Sequence, residues 1–268
     1  MTPPKSLTSI TGTYPITGIQ AGLSEKRDDP LRKVPQRMDL DDWYLSQDAV
    51  HKNQRALFFP AFQRFCHEDP NSKFSFYQIA GIHGQPIAVW DEPDQPSEWQ
   101  NVKREGEGEF WRSYCHHGQT TFATWHRPYM LLFEQVIYEY MRDLAETKYS
   151  GDERKAMLFA AANWRLPYWD WAEKKPIDYK DRSKGVDYNL PLAFLDRDIN
   201  IEGVAQQQGV PSNPLYQFTM PGQATLGGTN SDMKPELRVQ DLSAGRGWTF
   251  TVCQRSFYWR RPASIVLD

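Results

Sequence analysis

The sequence predicts a mainly α-helical fold interrupted by long loops, and two observations carry that reading. Residues 125–147 place apolar or aromatic side chains at Tyr129, Phe133, Val136, Ile137, Tyr140, Met141 and Leu144. That is helical spacing held over about four turns. Residues 84–112 and 172–245, by contrast, are rich in Pro, Gly and polar or charged residues. They read as loops, and the first is long enough to be suspected of function.

The elements follow in chain order. Residues 1–37 are rich in Pro, Gly, Thr and charge and read as an N-terminal arm, with one strand expected near 14–19. A helix is expected over residues 40–66, because Asp41 and Asp42 suit the positive end of a helix dipole and Trp43, Leu45, Val50, Leu57 and Phe58 supply an apolar face. Pro60 is expected to break or kink it. Pro128 is expected in the first turn of the 125–147 helix, since proline is tolerated only where the backbone N–H has no partner. His126 would then stand at the N-terminal end of that helix. Another helix is expected over 152–163. Residues 241–268 are basic and aromatic without helical period and read as a divergent tail, which leaves 38–240 as the main domain.

Composition narrows the function. The 268 residues carry 31 Lys and Arg against 34 Asp and Glu, net −3. Nucleic-acid binding needs clustered positive excess, so none is expected. No stretch reaches the roughly 18 apolar residues of a membrane helix, and no membrane partner is expected. The N-terminus lacks a basic start followed by an apolar run, so the expected location is cytoplasmic. Cys66, Cys115 and Cys253 are odd in number and far apart, which is not a disulfide framework. An aromatic content of 14% points first to a tightly packed core.

The chemistry lies in the histidines. There are six, and four of them, His83, His116, His117 and His126, fall between positions 83 and 126. Neutral imidazoles converging on one point suit copper or zinc. Glycines flank the His83 segment and permit a tight turn beside it. His51 and His67 have no motif around them and read as structural or surface residues.

Three motifs together resemble one family. Gly81-Ile82-His83-Gly84 is followed by Cys115-x-His117, then nine residues later by the His126 of Trp125-His126-Arg127-Pro128-Tyr129. The run continues through Leu166-Pro167-Tyr168-Trp169-Asp170-Trp171 and Asn213-Pro214-Leu215-Tyr216. Over roughly residues 14–220 the chain is similar to fungal-type tyrosinases, the type-3 copper polyphenol oxidases, and specifically to the N-terminal half with the first copper site, CuA. The resemblance implies that His83, His117 and His126 ligate one copper and that a thioether joins Cys115 to His117, against an ordinary buried thiol at Cys115. Arg127 and Glu134 become candidates for hydrogen bonds that orient the ligands, against a plain helix-surface role. The aromatic run around Trp169 is expected to pack on the helices rather than line a pocket.

The resemblance also implies the activity: oxidation of phenols to o-quinones with dioxygen as partner, in the manner of melanin-type pigment synthesis, on a helical bundle holding two coppers. Here residues 127–268 contain no histidine, and the CuB half is absent from the sequence. The expectation is therefore a tyrosinase-like copper protein with an incomplete bundle, inactive as this chain alone. The alternatives are a non-catalytic single-copper protein or a truncated remnant. A site shared between two copies is a further possibility, and an apolar face left uncovered on the 125–147 helix favours self-association.

Overall fold

The computed structural model describes residues 3–10, 12–23, 34–83, 90, 120–216 and 218. The expected tail and the 84–112 loop lie outside the described residues, apart from Trp90. Seven helices are described: α1 (Lys5–Thr8), α2 (Leu40–Leu45), α3 (Ala49–Cys66), α4 (Phe76–Gly81), α5 (Phe122–Lys148), α6 (Gly151–Ala162) and α7 (Leu192–Leu195). The centre is built from α3, α5 and α6, each packed on the other two.

The single helix expected over 40–66 is two. Asp39 caps α2, its carboxylate accepting from the Asp41 and Asp42 amides, and Asp48 caps α3 in the same way through Val50 and His51. Each cap satisfies backbone donors that a helix start leaves without partners. The chain between them is extended at Ser46 and Asp48. Pro60 does not end α3, which runs through it. A proline in a helix interior costs about 3 kcal/mol. Around it Phe58, Phe59, Phe62 and Phe65 are all buried, and each buried phenylalanine contributes about 1.5–3 kcal/mol. Packing outweighs the missing hydrogen bond.

The core is aromatic. Phe58 touches Trp43, Phe59, Phe62 and Trp164, and Phe65 touches Phe62, Phe76, Phe133 and Tyr140. Gln54 supplies polar cross-links inside it: its Oε1 accepts from the Trp43 indole at 2.9 Å, and its Nε2 donates to the Ala160 carbonyl at 3.2 Å.

The arm belongs to this core, since Leu7, Tyr14 and Ile19 are buried. The strand expected at 14–19 is not one. Its polar groups turn instead to the side chain of Gln135 on α5: Oε1 accepts from the Thr17 and Gly18 amides at 3.0 and 2.9 Å, while Nε2 donates to the Tyr14 hydroxyl at 2.7 Å and the Pro15 carbonyl at 3.1 Å. Bonds to one amide side chain replace a ladder. The arm then passes so close to α6 that a Cβ at Gly22 would lie 2.4 Å from the Ala162 carbonyl oxygen, at a φ of +75°. Only glycine fits there.

Beyond α6 the chain returns to α2. The Leu40 amide donates to the Tyr168 carbonyl at 2.8 Å, and the Tyr168 amide to the Met38 carbonyl at 2.9 Å. The expected packing of the aromatic run holds for Trp169, whose ring meets Phe194. It fails for Tyr168 and Trp171, which are 50% and 63% exposed. Backbone bonds of Tyr168 to Leu40 and Met38 hold that segment as well. A two-stranded antiparallel hairpin, β1 (Lys175–Pro176) and β2 (Val186–Asp187), follows. Buried Lys175 ties it to the start of α2 through Asp39 at 2.8 Å. Asn213, fully buried, donates to the Ala193 and Asp196 carbonyls at 2.7 Å each and so fastens the Asn-Pro-Leu-Tyr segment to α7.

Candidate metal centre

Two short stretches of backbone bring the site together. Ser75 caps α4 by accepting from the Gln78 amide. The chain turns at the end of that helix, where the His83 amide donates to the Ala80 carbonyl at 3.1 Å. His83 is thus delivered two residues past a capped helix. His126 lies on α5, which begins at Phe122, three residues earlier than the sequence implied. Pro128 consequently sits in the second turn and not the first. The carbonyl it leaves without an intrahelical donor belongs to Thr124, an exposed residue that water can serve.

The two rings meet through their outer nitrogens. His83 Nε2 and His126 Nε2 are 3.2 Å apart. His126 Nδ1 stands 2.7 Å from the Phe122 carbonyl. A carbonyl only accepts, so Nδ1 carries the proton of the neutral ring and Nε2 presents its lone pair. This is the tautomer a metal ligand needs, fixed by a backbone acceptor as in well-made metal sites. Two imidazole nitrogens bound side by side to one ion at about 2.0–2.1 Å stand about 2.9–3.4 Å apart. The observed separation falls inside that range, so the pair fits an imidazole-binding ion such as copper or zinc.

Aromatic rings surround His83. Tyr129 stacks on it with ring centroids 5.7 Å apart and planes 29° from parallel, and Trp125 approaches at 6.1 Å. Phe122 lies against His126 at 4.0 Å. The sequence reading used Trp125 and Tyr129 only as motif and helix-face residues. Their spacing of four is the signal that both point to one side of α5.

The other candidates fall as follows. Glu134 is buried and accepts from Arg37 and from the Leu166 amide, the latter at 2.7 Å. Arg127 is exposed on α5 beside His126. His116, His117 and Cys115, and so the expected thioether, lie outside the described residues. Among the described residues no group of three His, Cys, Asp or Glu side chains is gathered for a metal; the described part of the site is the pair. His51 Nδ1 bonds Ser46 Oγ at 2.7 Å and His67 Nδ1 bonds the Gln63 carbonyl at 2.7 Å, both local to their own helix ends. Burial pushes the Cys66 thiol above the ordinary thiol range.

Comparison with known proteins gives one answer. Residues 73–251 match the family described as the common central domain of tyrosinase. A tyrosinase from Podospora anserina is 32% identical over 210 residues, which is 78% of this chain and 33% of that protein. A tyrosinase from Aspergillus fumigatus is 38% identical over 140 residues, 52% of this chain and 20% of its own length. The crystal structure of the melB holo-protyrosinase of Aspergillus oryzae superposes with a TM-score of 0.61 at 32% identity, over 78% of this chain and 33% of that one. The chain thus spans about a fifth to a third of the proteins it matches.

Proposed function

Because the chain belongs to the tyrosinase family, we propose that His83, His117 and His126 hold one copper ion and that this chain supplies the first half of a phenol- and o-diphenol-oxidising centre. The observation that carries the proposal is the 3.2 Å approach of two Nε2 atoms, one of them with its tautomer fixed by a carbonyl. Copper bound there supplies the means to activate dioxygen, the oxidant for converting a phenol to an o-quinone. The chain's own residues have simpler tasks. His126 holds its lone pair in place from a packed helix. His83 completes the pair from the end of α4. Glu134 acts through the scaffold, since Arg37 and Leu166 hold it and it in turn holds α5 to the chain after α6. The proposed thioether at Cys115 would stop rotation of the His117 ring and remove a reactive thiol.

The reaction of the family uses two coppers, and a paired site orients and stabilises reactants in a way one ion cannot. Residues 127–268 offer no histidine, so they supply no imidazole for a second site. By itself the chain favours a single-copper, non-catalytic protein. Copper titration and phenol oxidation on one sample decide this. The expected result is one tightly held ion per chain and no oxidation of a monophenol above the free-copper background. Two ions with turnover would overturn the single-site reading, and no tight ion would overturn the ligand assignment.

A further inference from the structure

Tyr129 lies one turn beyond His126 on α5, yet its contacts are with the other ligand. Its ring stacks on His83 at 5.7 Å, and its hydroxyl donates to the Ala80 carbonyl at 3.4 Å. That carbonyl also accepts from the backbone amide of His83 itself. One side chain therefore touches both the imidazole and the turn that delivers it. The contact is part of a longer row. Tyr129 meets Phe133 at 5.3 Å, and Phe133 meets Phe76, the first residue of α4, at 6.0 Å. The six-residue α4 is too short to hold its own direction. It is seated on α5 at its start by Phe133 and at its end by Tyr129.

We propose that Tyr129 is a positioning residue for the metal centre: it fixes the plane and direction of the His83 ring, so that His83 Nε2 arrives at the point where His126 Nε2 already waits. This rests on the reading that the two histidines share an ion. The stack carries most of the effect, because a hydroxyl bond of 3.4 Å is long and weak, whereas an offset aromatic stack is a favoured arrangement that restricts the ring plane. A residue beside a ligand that holds it in this way changes metal affinity by about 10- to 100-fold when it is lost.

The test uses the full chain, copper(II) alone as probe, and two variants at one position. Tyr129→Phe keeps the ring and loses the hydroxyl; it is expected to bind within about threefold of wild type, the weak hydroxyl bond being the smaller term. Tyr129→Leu keeps apolar bulk without the stack; it is expected to raise the copper dissociation constant about tenfold and to alter the copper hyperfine splitting in the electron paramagnetic resonance spectrum. Met141→Ala is the control, since it removes fully buried packing on α5 far from His83 and from the row of rings that seats α4. It is expected to lower the melting temperature and leave the copper spectrum unchanged. If wild type holds copper tightly and Tyr129→Leu matches it in affinity and spectrum, the positioning role is wrong and the ligand pair stands. Equal spectral change in Tyr129→Leu and Met141→Ala would reduce Tyr129 to general packing and also overturn the proposal. If wild type holds no copper tightly, both the pair and the positioning role fall.

Discussion

The two halves of α5 differ in kind. Residues 132–148 bury Leu132, Glu134, Val136, Ile137, Tyr138, Tyr140, Met141 and Ala145, and receive the N-terminal arm through Gln135. Residues 122–131 bury none, and Phe122 and Met130 are 46% and 43% exposed. His126, the proposed ligand, stands on the exposed half. The buried half works as an anchor and the exposed half as a projecting arm, so the imidazole inherits rigidity from packing that lies one to five turns away. A metal ligand needs a fixed direction and an open approach together, and a helix half sunk in a core provides both.

The contrast between halves can be broken most strongly at adjacent turns. Leu132→Ala in the anchored half should cost about 3 kcal/mol by leaving a cavity, which lowers the melting temperature by roughly 6–12 °C in a protein of this size. Met130→Ala in the exposed half should stay within about 0.5 kcal/mol. Thermal unfolding followed by circular dichroism compares them directly, and equal losses would show that the halves do not differ.

Gln135→Ala tests how the arm is fastened to the anchored half. It removes these side-chain hydrogen bonds, partly replaceable by water, and should cost about 1–2 kcal/mol. Amide exchange should accelerate at Thr17 and Gly18 before it does in α6. Uniform acceleration across the chain would mean that the arm has no separate attachment.

The smallest effect sharpens the electrostatics of the anchored half. Burial raises the Glu68 carboxyl above the ordinary carboxylate range, against the pull of the Asp69 amide and of Tyr140. A group whose folded value is raised contributes full stability below its unfolded value, and that contribution is lost as pH rises through the folded value. Glu68→Gln should therefore melt higher than wild type at about pH 8, with the gap closing below about pH 4, where Glu68 is protonated in both states. A gap independent of pH would assign the change to packing instead.

Much of this contrast could be read from the sequence, and the parts that could not have physical reasons. The spacing from Tyr129 to Leu144 marks the packed face of α5, and the Gly-Ile-His-Gly and Trp-His-Arg-Pro-Tyr motifs mark His83 and His126, 43 positions apart. Pro60 does not end α3, and Pro128 lies one turn later in α5 than expected. Their local cost is real, but buried phenylalanines offset it at Pro60, and at Pro128 the carbonyl left without its donor belongs to the exposed Thr124. The break at 46–48 was legible only in hindsight, from Asp39 and Asp48 each standing one residue before a helix. The 14–19 segment has a strand's composition, yet its partner is a side chain 117 positions or more away, which no local pattern encodes. α4 spans only six residues, too few to display a period. The stack of Tyr129 on His83 likewise depends on where α4 lands.

The account stands on His83 and His126 serving one ion, and a double-variant cycle in copper affinity tests that most directly. Wild type, His83→Ala, His126→Ala and the double variant are titrated with copper(II) under one condition. Each single variant should raise the dissociation constant on the order of 100-fold, about 2.7 kcal/mol, and the double variant should be hardly worse than either, because removing a second ligand from a site already lost removes little more. Two separate additive losses, or one single variant that binds like wild type, would show that the two imidazoles do not share a metal.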